Sequence, residues 1–138
     1  MIEIAAASCL YHDFIRQLRN DQRVQGGFLE HVSISSAQQD VYMTKFASRY
    51  LVALIADQPA GYAGSIDNDI RVCTHPEFQG MGVGRALINA IMEQFPESQA
   101  RIKPGNHASE ALFLACGFKQ VGESDGLLIF RRADLAAD

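Results

Sequence analysis

The sequence feature that most constrains this chain is a run of alternating glycines between a strand-like segment and a helix-like segment. Gly80, Gly82 and Gly84 occupy every second position of this run. Pro76 stops the short apolar run before them, because proline cannot donate to a sheet ladder. After them, apolar residues recur at the intervals of a helix, namely Val83, Ala86, Leu87, Ala90 and Ile91. The glycines are therefore predicted to lie where a strand becomes a helix.

Glycines at such a junction suit the binding of a multiply charged anion. Glycine permits a positive φ and removes the side chains that would keep a ligand away from the main chain. The first amides of the following helix have no intrahelical acceptor, and they lie at the positive end of the helix dipole. The run therefore predicts a receptor for a group such as a pyrophosphate.

Three kinds of phosphate-binding loop carry glycines at such a junction, and the neighbouring residues distinguish them. A P-loop ends in Gly-Lys followed by Ser or Thr, whereas Gly84 is followed by Arg85. A dinucleotide fingerprint needs G-x-G-x-x-G and a carboxylate about twenty residues later, and Glu93 comes too early. The third pattern, Q-x-x-G-x-G, matches Gln79, Gly82 and Gly84. A glycine-rich turn that only allows a helix to pack closely on a sheet is the alternative.

A second pattern lies further along the chain. Asn106 and Gly117 frame a short apolar segment as the N-cap and the left-handed terminator of a helix. An asparagine, a small residue, an aromatic residue and Gly-Phe follow one another here as Asn106, Ser109, Phe113, Gly117 and Phe118. Together with the glycine run, this pattern resembles the signatures of the acyl-CoA N-acyltransferase (GNAT) family. Two independent patterns in the right order are more specific than either alone.

The resemblance implies acetyl transfer from acetyl-CoA to a primary amine. In this family the strand ending near Thr74 is splayed from the next one, around residues 101–103, and the pantetheine arm pairs with main-chain groups in the gap. Cys73 and Thr74 are then main-chain partners of the pantetheine and the thioester, and Asn106 supports the pantetheine. Arg85 is then a charge partner of the pyrophosphate. The main-chain amides assigned to the pyrophosphate are those of Gln79, Gly80, Met81, Gly82, Val83 and Gly84.

Composition favours an ordinary soluble protein with one domain spanning residues 1–138. Its 138 residues are 48% hydrophobic and 20% charged. A net charge of −4 without a basic run argues against a nucleic-acid partner, and no apolar run is long enough to span a membrane. Three cysteines far apart, Cys9, Cys73 and Cys116, favour reduced thiols in a cytoplasm. The histidines form no metal-ligand spacing with them, so we expect no metal site.

The rest of the chain predicts a mixed α/β fold, in which a mostly antiparallel central sheet is flanked by helices. Ile2 to Ala6 reads as an edge strand. Ser8 is predicted to cap one helix, and Ser36 with Gln39 is predicted to form a capping box for a second helix that runs to about Tyr42.

Paired strand signals follow these helices. Tyr50–Ala56 and Ala60–Ile66 predict a central hairpin turned by Asp57-Gln58-Pro59. Residues 99–103 predict a brief strand after the long helix, and Asp125-Gly126 predicts a final hairpin. The element order agrees with the resemblance.

Candidates for the acceptor side also come from the resemblance, because in this family the first helix pair lies over the acceptor pocket. They are Phe28, His31, Tyr42, Phe46 and Arg49. Phe28 and Tyr42 are assigned to a small-molecule amine, although aromatic residues in such a place are as often core.

An alkylammonium has a pKa near 10, so the amine must lose a proton to a general base before it attacks. Asp69, at the start of the key strand, is the candidate base. Asp67, Glu77 and His75 are the alternatives.

Phe113, assigned to the donor site, departs from the family pattern. Many members carry there a tyrosine that protonates or positions the departing sulfur. A thiolate is a tolerable leaving group near neutral pH, so Cys116, Tyr62 or water could take this role.

Three functions stay open, and Phe113 is the reason for the last of them. A small-molecule N-acetyltransferase leads. A protein or peptide N-acetyltransferase and a non-catalytic acetyl-CoA-binding module are the alternatives. The final hairpin also offers an edge strand through which a homodimer could form.

Overall fold

Two antiparallel sheets flanked by helices make up the computed structural model, which describes residues 1–25, 28 and 33–132. The strands are β1 (Ile2–Ala6), β2 (Tyr50–Ile55), β3 (Gln58–Ile66), β4 (Asp69–Thr74), β5 (Ala100–Ile102), β6 (Phe118–Ser124) and β7 (Leu127–Arg132). The helices are α1 (His12–Asn20), α2 (Gln22–Gln25), α3 (Ser36–Phe46), α4 (Val83–Gln94) and α5 (His107–Ala115). The mixed α/β class is confirmed. The prediction for His31 lies outside the described residues.

The sheets are joined at one corner. The first has the order β1-β2-β3-β4 and the second the order β5-β7-β6, and every pair within them is antiparallel. Between the sheets, β4 and β5 run parallel and meet at one bridge, Asp69 with Gln99. Over the rest of their length, β4 and β5 are therefore not hydrogen-bonded to each other.

Alternation along the strands produces two cores, one on each face of the first sheet. Leu51 and Ile70 face α4, whose buried residues Leu87, Ile88 and Ile91 complete that core. Val52, on the opposite face, packs with α1 and α3 in a cluster that includes Ile15, Leu18, Met43, Tyr50, Tyr62 and Cys73. The covering of β2 on both faces explains its continuous apolar run.

Three tight hairpins set the strand registers. Each turn has two residues of positive φ, as a type I′ turn requires, and the pairs are Ala56-Asp57, Asp67-Asn68 and Asp125-Gly126. The last pair was predicted from the sequence. The β2–β3 turn comes earlier than predicted, since Gln58 and Pro59 already belong to β3. A register shift between Ala53 and Leu54 lies opposite Pro59, a place where proline is tolerated.

The capping box of α3 also lies one residue earlier than predicted. Ser35 Oγ accepts a hydrogen bond from the Gln38 amide, and Gln38 Oε1 accepts one from the Ser35 amide. Gln39 is instead buried, and its side chain donates to the carbonyl of His12. The helix continues a turn beyond Tyr42, to Phe46. Within the described residues, none of the helices is long and apolar enough to cross a bilayer.

Candidate active site

The site begins with the gap between β4 and β5. At its closed end the Ile70 amide donates to the Gln99 carbonyl at 2.8 Å, and the Gln99 amide donates to the Asn68 carbonyl at 2.7 Å. Beyond this point β4 pairs only with β3, and β5 pairs only with β7, in the part of the chain that the structure describes. The facing edges of β4 and β5 are thus unpaired with each other beyond this bridge, and we refer to this unpaired stretch as the cleft.

The main chain of β4 presents alternate residues to this cleft. In an antiparallel pair, consecutive residues point their amide and carbonyl groups to opposite sides. Ile70 donates toward β5, and the His75 amide donates to the Ala60 carbonyl of β3. The main-chain groups of Val72 and Thr74 therefore face the cleft. Those of Cys73 face its partner on β3, Tyr62, so Cys73 is not on the open edge.

The glycine run follows the end of β4, as predicted. Gly80 and Gly82 have φ of 81° and 84°, in the left-handed region that glycine adopts without strain. Gly82 is the N-cap of α4 and carries no side chain to cap it. Within the described residues, no acceptor is hydrogen-bonded to the main-chain amides from Gln79 to Arg85. The loop therefore offers a row of unused donors at the positive end of a twelve-residue helix.

Gly84 performs a different task from the other two glycines. A Cβ atom there would lie 3.0 Å from Leu112 Cδ2 and 3.7 Å from Thr74 Oγ1. The missing side chain thus lets the start of α4 approach both α5 and the end of β4. Close packing, the simpler interpretation of the glycine run, applies at Gly84, while Gly80 and Gly82 supply the loop conformation.

The other residues assigned to the donor differ in exposure. Gln79, Met81 and Arg85 are exposed around the loop, whereas Val83 is buried under it. Asn106 is the N-cap of α5, and its Oδ1 accepts from the Ser109 amide at 3.2 Å.

Phe113 lies in the core, 3% exposed, with its ring centroid 5.0 Å from that of Phe118. It carries no group that could deliver a proton to the cleft.

Asp69 lies at the closed end of the cleft. One carboxylate oxygen, Oδ2, is 2.8 Å from Nε of Arg101 on β5. The other, Oδ1, is buried and has no hydrogen-bond partner in the described part of the chain. Because side chains alternate along a strand, Asp69 projects to the same face as Arg71 and Cys73, toward α1 and α3. The carboxylate therefore keeps one free acceptor oxygen near the place where the strands part.

The alternative bases lie elsewhere. His75 and Glu77 line a cavity of about 430 Å³ beyond the opposite end of β4, together with Phe14 and Asp21. His75 Nδ1 already accepts from the Glu77 amide at 3.1 Å, so the neutral ring carries its proton on Nε2. Asp67 is an exposed residue of the β3–β4 turn.

Side chains on the α1 and α3 face of β4 form a polar network around Tyr42. Its phenol oxygen is 2.7 Å from that of Tyr50, and Arg71 Nη1 donates to it at 3.3 Å. Burial, followed by the neighbouring Tyr42, raises the pKa of Tyr50 above its ordinary value.

Tyr42 was predicted from the sequence as an acceptor contact, but Arg71 was not. The feature that could have indicated Arg71 is a charged residue between the apolar residues Ile70 and Val72 of one strand.

The remaining acceptor candidates have structural partners. Arg49 donates to the Ser65 carbonyl at 2.8 Å, and its guanidinium lies 3.8 Å from the centroid of the Phe95 ring. These contacts give Arg49 a structural role. Phe46 stacks on Tyr42 with ring centroids 4.8 Å apart. Phe28 is half-buried, and the Arg19 guanidinium lies 5.7 Å from its ring centroid.

Burial keeps two thiols and one phenol of the protein in their neutral form. Desolvation raises the pKa of the Cys73 thiol to about 12, and it raises the pKa values of Cys116 and Tyr62 as well. None of the three is therefore a good proton donor at neutral pH. Among the residues that the structure describes, no group of three or more His, Cys, Asp or Glu side chains could hold a metal ion.

Comparison of the sequence with protein families agrees with this geometry. The acetyltransferase (GNAT) family matches residues 12–118. The chain belongs to the GNAT acetyltransferase family. A comparison with curated proteins finds no match.

Solved structures share the fold over nearly the whole chain. A ribosomal-protein-alanine N-acetyltransferase from Brucella melitensis is 23% identical, with a TM-score of 0.78, covering 93% of this chain and 97% of its own. A GNAT superfamily phosphinothricin acetyltransferase from Sinorhizobium meliloti, in complex with acetyl-CoA, is 20% identical, with a TM-score of 0.77 and coverages of 94% and 87%. A spermidine N-acetyltransferase from Vibrio cholerae, in complex with CoA and spermine, is 17% identical, with a TM-score of 0.74 and coverages of 94% and 92%.

Proposed function

We propose that this GNAT protein is an N-acetyltransferase that moves an acetyl group from acetyl-CoA to the primary amine of a small molecule. The observation that carries the proposal is the unpaired stretch between β4 and β5, together with the unused amides of Gln79–Arg85 that follow the end of β4. A thin ligand with a diphosphate at one end fits these two features together. A related GNAT structure holding acetyl-CoA supports the choice of donor.

The donor is held mainly by main-chain groups. The loop amides bind the diphosphate, and exposed Arg85 adds a positive charge. The pantetheine arm enters the cleft and pairs with Val72 and Thr74 as an added strand would. Pairing with the pantetheine was predicted for Cys73, but its main-chain groups face Tyr62 of β3. We therefore assign this pairing to Val72. The thioester then lies toward the closed end of the cleft.

Asp69 is the proposed general base. Arg101 fixes its Oδ2, and the unpartnered Oδ1 can accept a proton from the ammonium form of the acceptor. The neutral amine nitrogen then attacks the thioester carbonyl carbon, a C–N bond forms, the C–S bond breaks, and the nitrogen gives its second proton to solvent water. His75 and Glu77 are weaker candidates because about 17 Å of strand separates the start of β4 from its end.

The departing thiolate leaves without a side-chain acid. Phe113 has no hydroxyl, and the raised pKa of the Cys116 thiol makes it a poor donor. The CoA thiolate is itself stable enough to leave near neutral pH, so solvent water supplies its proton.

A small molecule is favoured over a protein substrate because Tyr42 and Arg71 are only partly exposed. The related spermidine N-acetyltransferase, in complex with CoA and spermine, supports a small amine as the acceptor.

Two measurements test the proposal. Calorimetry with acetyl-CoA reports donor binding, and thiol release with a panel of amines reports transfer. We expect saturable binding and amine-dependent thiol release. Tight binding with no thiol release for any amine indicates a non-catalytic acetyl-CoA-binding module. Absence of acetyl-CoA binding contradicts the proposal outright.

A further inference from the structure

Arg71 is a half-buried cation without a counter-ion in the part of the chain that the structure describes. Its neighbours are the phenols of Tyr42 and Tyr50. Within the described residues no carboxylate lies within ion-pair distance of it, whereas Arg101 is paired with Asp69. A guanidinium has five N–H donors, and the side-chain partners found for those of Arg71 among the described residues are the two phenols.

Although burial acts to lower the pKa of Arg71, the phenols beside it favour its charged form and raise that pKa. The phenols are neutral, so the charge of the guanidinium is left for an anionic ligand. Arg71 projects to the α1 and α3 face, away from α4 and the glycine loop that follows β4. Its charge is therefore placed for a ligand on the acceptor side and not for the diphosphate of the donor.

The phenols beside Arg71 add a hydrogen-bond donor. Tyr42 and Tyr50 share one hydrogen bond between their oxygens, which uses one of their two protons. The raised pKa of Tyr50, caused first by burial and then by Tyr42, keeps that phenol protonated. One phenol proton is thus left to point at a ligand next to the guanidinium.

Gly64 makes this arrangement possible. Tyr50, Gly64 and Arg71 stand in one row across β2, β3 and β4. A Cβ atom at Gly64 would lie 2.5 Å from Cε1 of the Tyr50 ring. The ring can therefore lie across β3 and reach toward Arg71 only because this position lacks a side chain.

We propose that the acceptor amine carries an anionic group, a carboxylate or a phosphate, which Arg71 binds together with the phenols of Tyr42 and Tyr50. This inference rests on the proposed N-acetyltransferase function and names the substrate class. Asp69 lies two positions before Arg71 on the same face, about 7 Å away along the strand. The amine and the anionic group of a small acceptor can therefore meet the base and the guanidinium together.

Paired acceptors test the inference by kinetics. Each pair differs in the anionic group: β-alanine with propylamine, L-leucine with isopentylamine, and O-phosphoethanolamine with ethanolamine. We expect at least one anionic member to exceed its plain partner in kcat/KM by about tenfold or more, which corresponds to one charge-assisted contact. The carboxylate and phosphate pairs tell the two anions apart. Equal rates for all pairs, or faster plain amines, overturn the inference.

Variants assign the effect to Arg71. R71Q should abolish the preference by raising the acceptor KM and leave the KM for acetyl-CoA unchanged, while R71K should retain part of it. G64A should weaken it with every polar group still present. R131Q, at an exposed residue of β7, is the matched control and should behave as wild type. An equal loss on both members of each pair in R71Q shows a structural role and contradicts the inference.

Equilibrium binding separates this inference from the proposed function. Calorimetry measures N-acetyl-β-alanine and N-acetyl-O-phosphoethanolamine against the CoA-saturated wild type and R71Q, whose folding is checked by thermal unfolding. Binding by the wild type that R71Q loses supports the anion site even if no amine is turned over, a result that would defeat only the proposed transfer. If neither probe binds the wild type, the inference fails even where plain amines are acetylated.

Discussion

The two sides of the site are built from different parts of the chain. On the proposed donor side, nearly every group assigned to the ligand is main chain, drawn from the end of β4 and the loop of Gln79–Arg85. On the proposed acceptor side, the groups are side chains of Tyr42, Tyr50 and Arg71, which come from a helix and two strands. A donor common to a family can be bound by main-chain geometry, whereas an acceptor that differs between members needs side chains.

Asp69 stands where the two sides meet, so its replacement should have the largest effect. We expect D69N to lower kcat by about a hundredfold or more, because an amide cannot accept the proton of the ammonium. The KM for acetyl-CoA should change little. Steady-state kinetics across pH measures this, with D67N in the adjacent exposed turn as the control. An unchanged pH–rate profile in D69N would remove this residue from the mechanism.

Gly82 tests the donor side alone. G82V places a β-branched side chain at a φ of 84° and disrupts the loop amides at the start of α4. Binding of acetyl-CoA, measured by calorimetry, should weaken by about tenfold or more. G126V imposes a similar strain at a φ of 78° in the β6–β7 turn, where nothing lies within 4 Å of the added Cβ. It should cost stability without weakening the binding; equal losses in both variants would mean that strain alone explains the result.

The pH dependence of stability tests the burial of Cys73 in the core on the α1 and α3 face. The pKa of Cys73 is raised from 9.0 to about 12 by desolvation, so the folded protein holds this proton more tightly than the unfolded chain. Its contribution to stability is complete below pH 9 and is lost as the pH rises toward 12. The free energy of unfolding should fall by up to about 1.4 kcal/mol per pH unit in this window through this group.

Denaturant titrations of the wild type and C73A measure this effect. The free energy of unfolding of C73A should decline less steeply above pH 9, because the thiol is gone. Some decline should remain, because the pKa values of buried Tyr62 and Tyr50 are raised as well. Parallel declines would show that the thiol titrates freely in the folded protein.

The difference between the two sides also explains how far the sequence could predict them. Gly80 and Gly82 are visible in the sequence because only glycine adopts their backbone conformation readily, and the strand, loop and helix around them are contiguous. The Asp125-Gly126 turn was predictable for the same local reason. The capping box at Ser35 was missed by one residue because adjacent Ser and Gln residues offer the same pattern in two registers.

The acceptor side could not be predicted in this way. The row of Tyr50, Gly64 and Arg71 exists only through strand pairing, and Tyr42 joins it from a helix. Nothing near Gly64 in the sequence shows that it makes room for a ring on the next strand. The alternation that turns Cys73 toward β3 and Val72 toward the cleft likewise depends on which edge of β4 is paired.

The central claim, that main-chain groups of β4 and the glycine loop bind the donor, is tested most directly by amide chemical shifts. ¹H–¹⁵N spectra recorded with and without acetyl-CoA should show large shifts for the amides from Gln79 to Arg85 and for Val72 and Thr74. The amide of Cys73, paired with β3, should move much less. Loop amides that stay unchanged at saturating acetyl-CoA would contradict the account.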